Sequence, residues 1–198
     1  MNETDENLML AVRDGDTSKL GVLFDRHHRS LFDFFYRMTG RQAVADDLVQ
    51  DVFFRILKYR KTFRDISWFK AWMFHIARNA RFDYYRSHRG ETLLEDDHAE
   101  GLQSPSPVPG QQLEDRQQAL LLECAMFKLA PEKREVLILS RYQDMKYEQI
   151  AGLMNCEVGT VKTRVHRALK ELRDIFLELS SERPSCNVKK SGNSLRIM

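Results

Sequence analysis

The sequence predicts an all-α protein: two small helical domains joined by an acidic flexible linker, the second containing a helix-turn-helix. Three observations carry this. Apolar residues recur every three or four positions along most of the chain, and no stretch sustains period-two alternation. From Glu91 to Asp115 there are seven acids and no lysine or arginine, and three of the five prolines lie there (Pro105, Pro107, Pro109). Beyond that break, two short helical patterns meet at Asn155, and the second has a cationic outer face.

The chain has 198 residues, enough for one or two domains. With 42% hydrophobic and 30% charged residues it is globular rather than disordered. The net charge of +2 alone does not indicate nucleic acid; the segregation of charge along the chain does. The three cysteines, Cys124, Cys156 and Cys186, form no paired motif, so neither a zinc site nor a disulfide framework is expected. None of the six histidines completes a metal or nucleophile signature. No cofactor, metal or enzymatic activity is expected. The acidic start M-N-E-T-D-E-N is no signal peptide, and no apolar run reaches the length of a membrane span. A reduced, cytoplasmic protein without membrane insertion is expected.

The first domain is expected over residues 1–89. Leu8, Met9 and Val12 make a short helix ending at Asp14-Gly15. Asp16 or Thr17 can cap the next helix, which carries Leu20, Leu23, Leu31, Phe34, Phe35 and Met38 and stops at Gly40. His27 falls at its core edge. A third helix over 43–60 puts Val44, Leu48, Val52 and Ile56 inward. Its other face holds Asp46, Asp47, Gln50, Asp51 and Arg55. Acids at the start and bases near the end suit the helix dipole; a docking face for a basic partner explains them equally well. After a loop around Phe63 and Arg64, a long helix over 68–89 buries Phe69, Trp72, Met73, Ile76, Ala77 and Ala80. Opposite lie Arg78, Asn79, Phe82 and Arg86, with Arg81 and Arg89 nearby. Aromatics among arginines suit nucleic acid with stacking bases; aromatics packed beneath arginine stems are the alternative.

Residues 90–112 form the linker. As a relaxed coil it spans about 25 Å, and pulled straight about 75 Å. The second domain is expected over 113–180. Its first helix, to about 129, offers Leu113, Leu120, Leu121, Cys124 and Phe127 as buried positions. Pro131 opens a helix reaching Tyr142. The helix-turn-helix follows: Tyr147–Met154, a turn at Asn155, and Gly159–Leu172 with Val161, Val165, Ala168 and Leu172 inward. Asn tolerates the left-handed conformation such a turn needs. The outer face offers Thr160, Lys162, Thr163, Arg164 and Arg167 to a DNA major groove. Residues 181–198 read as a disordered tail with no assignable role.

Three segments in order, A-D-D-L-V-Q-D-V-F, W-F-K-A-W-M-F-H-I-A-R-N-A-R-F-D-Y-Y-R and N-C-E-V-G-T-V-K-T-R-V-H-R-A-L, resemble the sigma-70 family. Within it the chain resembles the small extracytoplasmic-function (ECF) RNA polymerase sigma factors, over about residues 8–175. The resemblance implies a bacterial initiation factor whose partners are core RNA polymerase, promoter DNA and an anti-sigma factor. It implies that Asp46, Asp47, Gln50, Asp51 and Arg55 dock on the polymerase. Phe63, Arg64, Arg78, Asn79, Phe82 and Arg86 would capture the minus-ten element as single strand. Thr160, Lys162, Thr163, Arg164 and Arg167 would read the minus-thirty-five element as duplex. The acidic linker would thread the RNA exit path. The alternative is a dimeric helix-turn-helix transcriptional regulator, which leaves the first domain unexplained.

Overall fold

The computed structural model describes residues 3–64, 68–88 and 113–181, with side chains from 117 onward in the last stretch. The linker 90–112, the tail beyond Ser181 with Cys186, residues 65–67 and Arg89 lie outside the described residues. Every element among the described residues is helical.

The first domain is built from α1 (Asp5–Asp14), α2 (Lys19–Thr39), α3 (Gln42–Tyr59) and α4 (Phe69–Ser87), with one 3₁₀ turn at Arg60–Thr62. Thr4 caps α1, its hydroxyl accepting from the Asn7 N–H at 3.3 Å. The Asp16 carboxylate accepts the Ser18 N–H at 3.2 Å and so shapes the entry to α2. Gly40 ends α2 in the left-handed region at φ 72°, and its N–H donates to the Tyr36 carbonyl at 2.7 Å. Glu6 reaches from α1 to accept the Phe69 N–H at 3.2 Å, supplying the start of α4 with an acceptor. His27 takes the expected core-edge place, 2.7 Å from Asp5 and against the Phe69 ring. The expected inward face of α3 is buried throughout.

The second domain comprises α5 (Leu113–Lys128), α6 (Pro131–Leu137), α7 (Tyr147–Met154) and α8 (Val158–Ser181). Two expectations need correction. In α5, Leu120, Leu121, Cys124 and Phe127 are only half-buried, and the buried positions are Ala125 and Met126. This helix is covered on two sides, by α8 and by α2, so one apolar stripe does not describe it. The helix expected from Pro131 to Tyr142 does not continue as α-helix. It widens into a π turn over Ile138–Tyr142, closed by the Gln143 N–H on the Ile138 carbonyl at 2.9 Å.

The two domains are packed together. Their buried side chains form one continuous cluster. Residues 135–139 are all buried, as expected of a segment enclosed on every side. Polar contacts cross the seam. Arg134 donates to the Met38 carbonyl at 3.2 Å, Arg37 lies 3.7 Å from Glu123, and the Arg37 guanidinium sits 4.0 Å above the Tyr142 ring. Satisfaction there is incomplete: Arg37 Nε, Arg81 Nε, Glu123 Oε2 and Arg134 Nε are buried without a hydrogen-bond partner. Each such group costs about 1–3 kcal/mol, which offsets part of the apolar burial along the seam.

Candidate nucleic-acid interface

The helix-turn-helix forms where expected. Asn155 adopts the left-handed conformation, φ 49° and ψ 54°, and the Cys156 N–H then closes on the Ala151 carbonyl at 3.0 Å. The Gln149 side chain reaches back to the Lys146 N–H at 3.0 Å, fixing the start of α7. Val161, Val165 and Ala168 are buried and hold α8 against the domain. Lys162, Thr163, Arg164 and Arg167 are exposed, and Thr160 is half-buried. Lys133 of α6 pairs with Glu171, an acid of α8, which leaves the outer face of this helix cationic. The helix runs to Ser181.

On α4, Asn79, Phe82 and Arg86 are exposed. Phe82 is 49% exposed, with the guanidinium carbons of Arg81 and Arg78 at 4.8 and 5.2 Å from its ring centre. This ring therefore offers a stacking face already backed by cations. A cleft of about 490 Å³ beside it is lined by Arg55, Tyr59, Ile76, Asn79, Asp83 and Arg86. Two other members of the expected single-strand set behave differently. Arg64 is exposed, but Phe63 is 2% exposed and packs edge-on to Trp72 at 5.2 Å. It supports the loop from within and presents no face to a base. Arg81, read as lying near the exposed face, is 6% exposed beneath the second domain.

On α3, Asp46, Asp47 and Gln50 are exposed. Asp51 and Arg55 are half-buried and joined at 2.8 Å. Arg55 also donates to Asp83 at 2.7 Å, and Arg86 donates to the other oxygen of Asp83 at 2.7 Å. The chain of charges Asp51–Arg55–Asp83–Arg86 thus ties the acidic face of α3 to the outer face of α4. The hydrogen bond from Arg55 holds the Asp83 carboxyl below its ordinary range. Sequence reasoning passed over three exposed aromatics here: Phe54 (65% exposed), Tyr59 (45%) and Trp68 (54%). Phe54 was legible from helical phase, being three residues from Asp51 and four from Gln50.

No helix among the described residues is long and apolar enough to cross a membrane, and no group of three or more potential ligands there could hold a metal ion.

Known proteins share both halves of this arrangement. Residues 23–91 match the family model of Sigma-70 region 2, and residues 112–172 match that of Sigma-70, region 4. The chain is 31% identical over 173 residues to the ECF RNA polymerase sigma factor SigL of Mycobacterium tuberculosis, covering 85% of this chain and 94% of that one. It is 30% identical over 163 residues to the ECF RNA polymerase sigma factor SigE of Mycolicibacterium smegmatis, covering 81% of this chain and 62% of that longer relative. Among solved structures, the sigma factor RpoE in complex with the anti-sigma factor NepR, from Bartonella quintana, superposes with a TM-score of 0.65 at 26% identity. That match covers 82% of this chain and 98% of the other. CnrH, solved with the cytosolic domain of CnrY, shares the fold with a TM-score of 0.68 at 22% identity, over 91% and 100% of the two chains. The chain belongs to the sigma-70 family, in its extracytoplasmic-function group of RNA polymerase sigma factors.

Proposed function

We propose that this chain recruits core RNA polymerase to a specific set of promoters and promotes their melting, in the cytoplasm and without a catalytic step of its own. One observation supports this most directly. A single chain carries both an exposed cationic recognition helix and, on its other domain, an exposed acidic face of Asp46, Asp47 and Gln50. A simple operator-binding regulator needs the first and has no use for the second. In this reading residues 1–89 dock on the polymerase and bind the minus-ten element, 90–112 link, and 113–180 bind the minus-thirty-five element. Asp51 and Arg55 act within the docking face by bracing it, and Phe54 is its apolar centre. Thr160, Lys162, Thr163, Arg164 and Arg167 contact the duplex; Asn79, Phe82, Arg86, Arg78 and Arg64 contact the separated strand. An anti-sigma factor is the expected inhibitor.

Magnitudes explain the need for the polymerase. Opening about ten base-pair steps costs on the order of 14 kcal/mol, at about 1.4 per step. Each stacked base returns about 1–3 kcal/mol, and α4 offers room for few. Two promoter elements one to two duplex turns apart lie about 35–70 Å from each other. The two domains, packed together here, must separate to reach both.

Run-off transcription with purified core polymerase on a pool of promoter sequences tests the reading. Initiation that depends on the chain supports it and reveals the promoter. Template binding without initiation would favour the dimeric regulator.

A further inference from the structure

We propose that Asp83 is a positioning residue for strand capture: its two carboxylate oxygens hold Arg86 beside the cleft between α3 and α4 and key that arginine to α3 through Arg55. The proposal rests on the strand-binding reading of α4 given above and adds to it an acid which that reading left out. The Arg86 side chain is 81% exposed. A long side chain so placed would on its own sample many rotamers. Asp83 removes much of that freedom. Its Oδ1 accepts from Arg86 Nη2 at 2.7 Å, and its Oδ2 accepts from Arg55 Nη1 at 2.7 Å. Arg55 is fixed in turn, because it is half-buried and its Nε donates to Asp51 at 2.8 Å. Arg86 is therefore anchored through one carboxylate to a second helix, and not to its own helix alone. The bond to Asp83 uses Nη2, and a guanidinium has further N–H donors to offer a phosphate.

The place of Asp83 suits this role. Asn79, Phe82, Asp83 and Arg86 follow one another at helical spacing and share one face of α4. All four line the cleft of about 490 Å³. Arg86 lies one turn, about 6 Å, beyond Phe82, so a base stacked on the exposed ring brings its own phosphate within the arginine's reach. An acid at such a site also repels the strand. At about 8 Å from a phosphate and physiological salt, that repulsion weakens binding by less than about twofold. Ordering one long side chain in advance strengthens it by about two- to tenfold. Positioning therefore outweighs repulsion, and the acid helps the site that it faces.

The test uses the full chain assembled with core polymerase, and a labelled duplex of random sequence with a pre-opened bubble. Binding by core polymerase alone is subtracted. Melts establish that each variant is folded at the assay temperature, and titration into core polymerase establishes that it docks. Asp83→Ala should weaken binding to the bubble about three- to fivefold. Arg86→Ala should weaken it too, with a salt slope shallower by about 0.7, the mark of one lost single-strand phosphate contact. In the Arg86→Ala background, Asp83→Ala should change affinity by less than about twofold, because the acid has no arginine left to place. Asp83→Glu, which keeps both oxygens, should return to within about twofold of the wild type. An acid that only stabilised the fold would cost as much in the Arg86→Ala background as in the wild type, and that result overturns the proposal. Tighter binding by Asp83→Ala overturns it as well, because repulsion then dominates. A loss with Arg86→Ala but none with Asp83→Ala removes the positioning role and leaves the strand-binding reading of α4 standing. If Arg86→Ala binds as the wild type does, that reading fails and the proposal fails with it.

Discussion

Replacing Gly40 with alanine separates two costs that meet at one atom. The first is backbone conformation. Gly40 sits at φ 72° and ψ 0°, where an L-residue loses about 1–2 kcal/mol. The second is contact across the domain seam. A Cβ at this position would lie 3.3 Å from Cε1 and Cζ of Phe127. That is a few tenths of an ångström inside the optimum of about 3.5–4.0 Å, and each atom pair has a well of only about 0.1–0.2 kcal/mol. The contact is with the far end of a ring that can tilt, so the backbone cost dominates. Gly40→Ala should therefore lose about 1–2 kcal/mol, or roughly 5–15 °C in midpoint for a domain of 60–100 residues. Denaturant melts followed by circular dichroism read it. Gly40→Asn should lose less, because Asn enters this region more readily. In a Phe127→Ala background the Gly40→Ala cost should persist nearly whole, as expected for independent terms. If removing the ring erases the cost, steric contact dominates and the reasoning fails. The opposite sign is expected at Gly21, a helical position with nothing within 4 Å of its added Cβ. Gly21→Ala should gain about 0.4–1 kcal/mol.

Other outcomes follow from the same surfaces. Arg164→Ala and Arg167→Ala should weaken duplex binding. A loss of about 1–3 kcal/mol that depends on the base marks a bidentate guanine contact, whereas a uniform loss with a shallower salt slope marks a phosphate contact. Asp47→Arg and Phe54→Ser should each weaken association with core polymerase in a binding titration while melting as the wild type does; unchanged affinity in both would remove the docking role of α3. The lowered Asp83 carboxyl makes stability present above the ordinary aspartate value and lost as pH falls through its folded value. Asp83→Asn should flatten that acid limb in melts across pH. Glu123 has the opposite sign: burial raises it, against the pull of Arg37. Its contribution is greatest below the ordinary glutamate value and falls as pH rises, so Glu123→Gln should help more at neutral pH than in acid.

What the sequence made legible was local. Apolar spacing placed α2, α3 and α4 to within two residues, because a helix with one buried face writes its period into the chain. Asn155 was legible because few residues accept its backbone angles. The seam was not legible. Arg78, Arg81, Glu135 and Gln143 look like surface residues, and their burial depends on a domain far along the chain. Phe63 misled for a related reason: an aromatic in a short loop reads the same whether it faces a base or the core. The uniform burial of 135–139 was foreshadowed only by the run V-L-I-L, which carries no period at all.

The π turn has a consequence in the arithmetic of the chain. It accommodates one residue more than an α-helical turn over the same rise. Deleting one residue between Ile138 and Tyr142 would restore ordinary winding and leave the phase beyond it nearly unchanged, whereas inserting one more, wound as ordinary helix, would turn everything beyond by about 100° relative to α6. Gln143 would then leave Ser30, to whose carbonyl its side chain donates at 3.0 Å, while α7 and α8 would keep their own packing intact. How the two domains meet is thus set by a count of residues as much as by their chemistry, and a single codon gained there is enough to reset it.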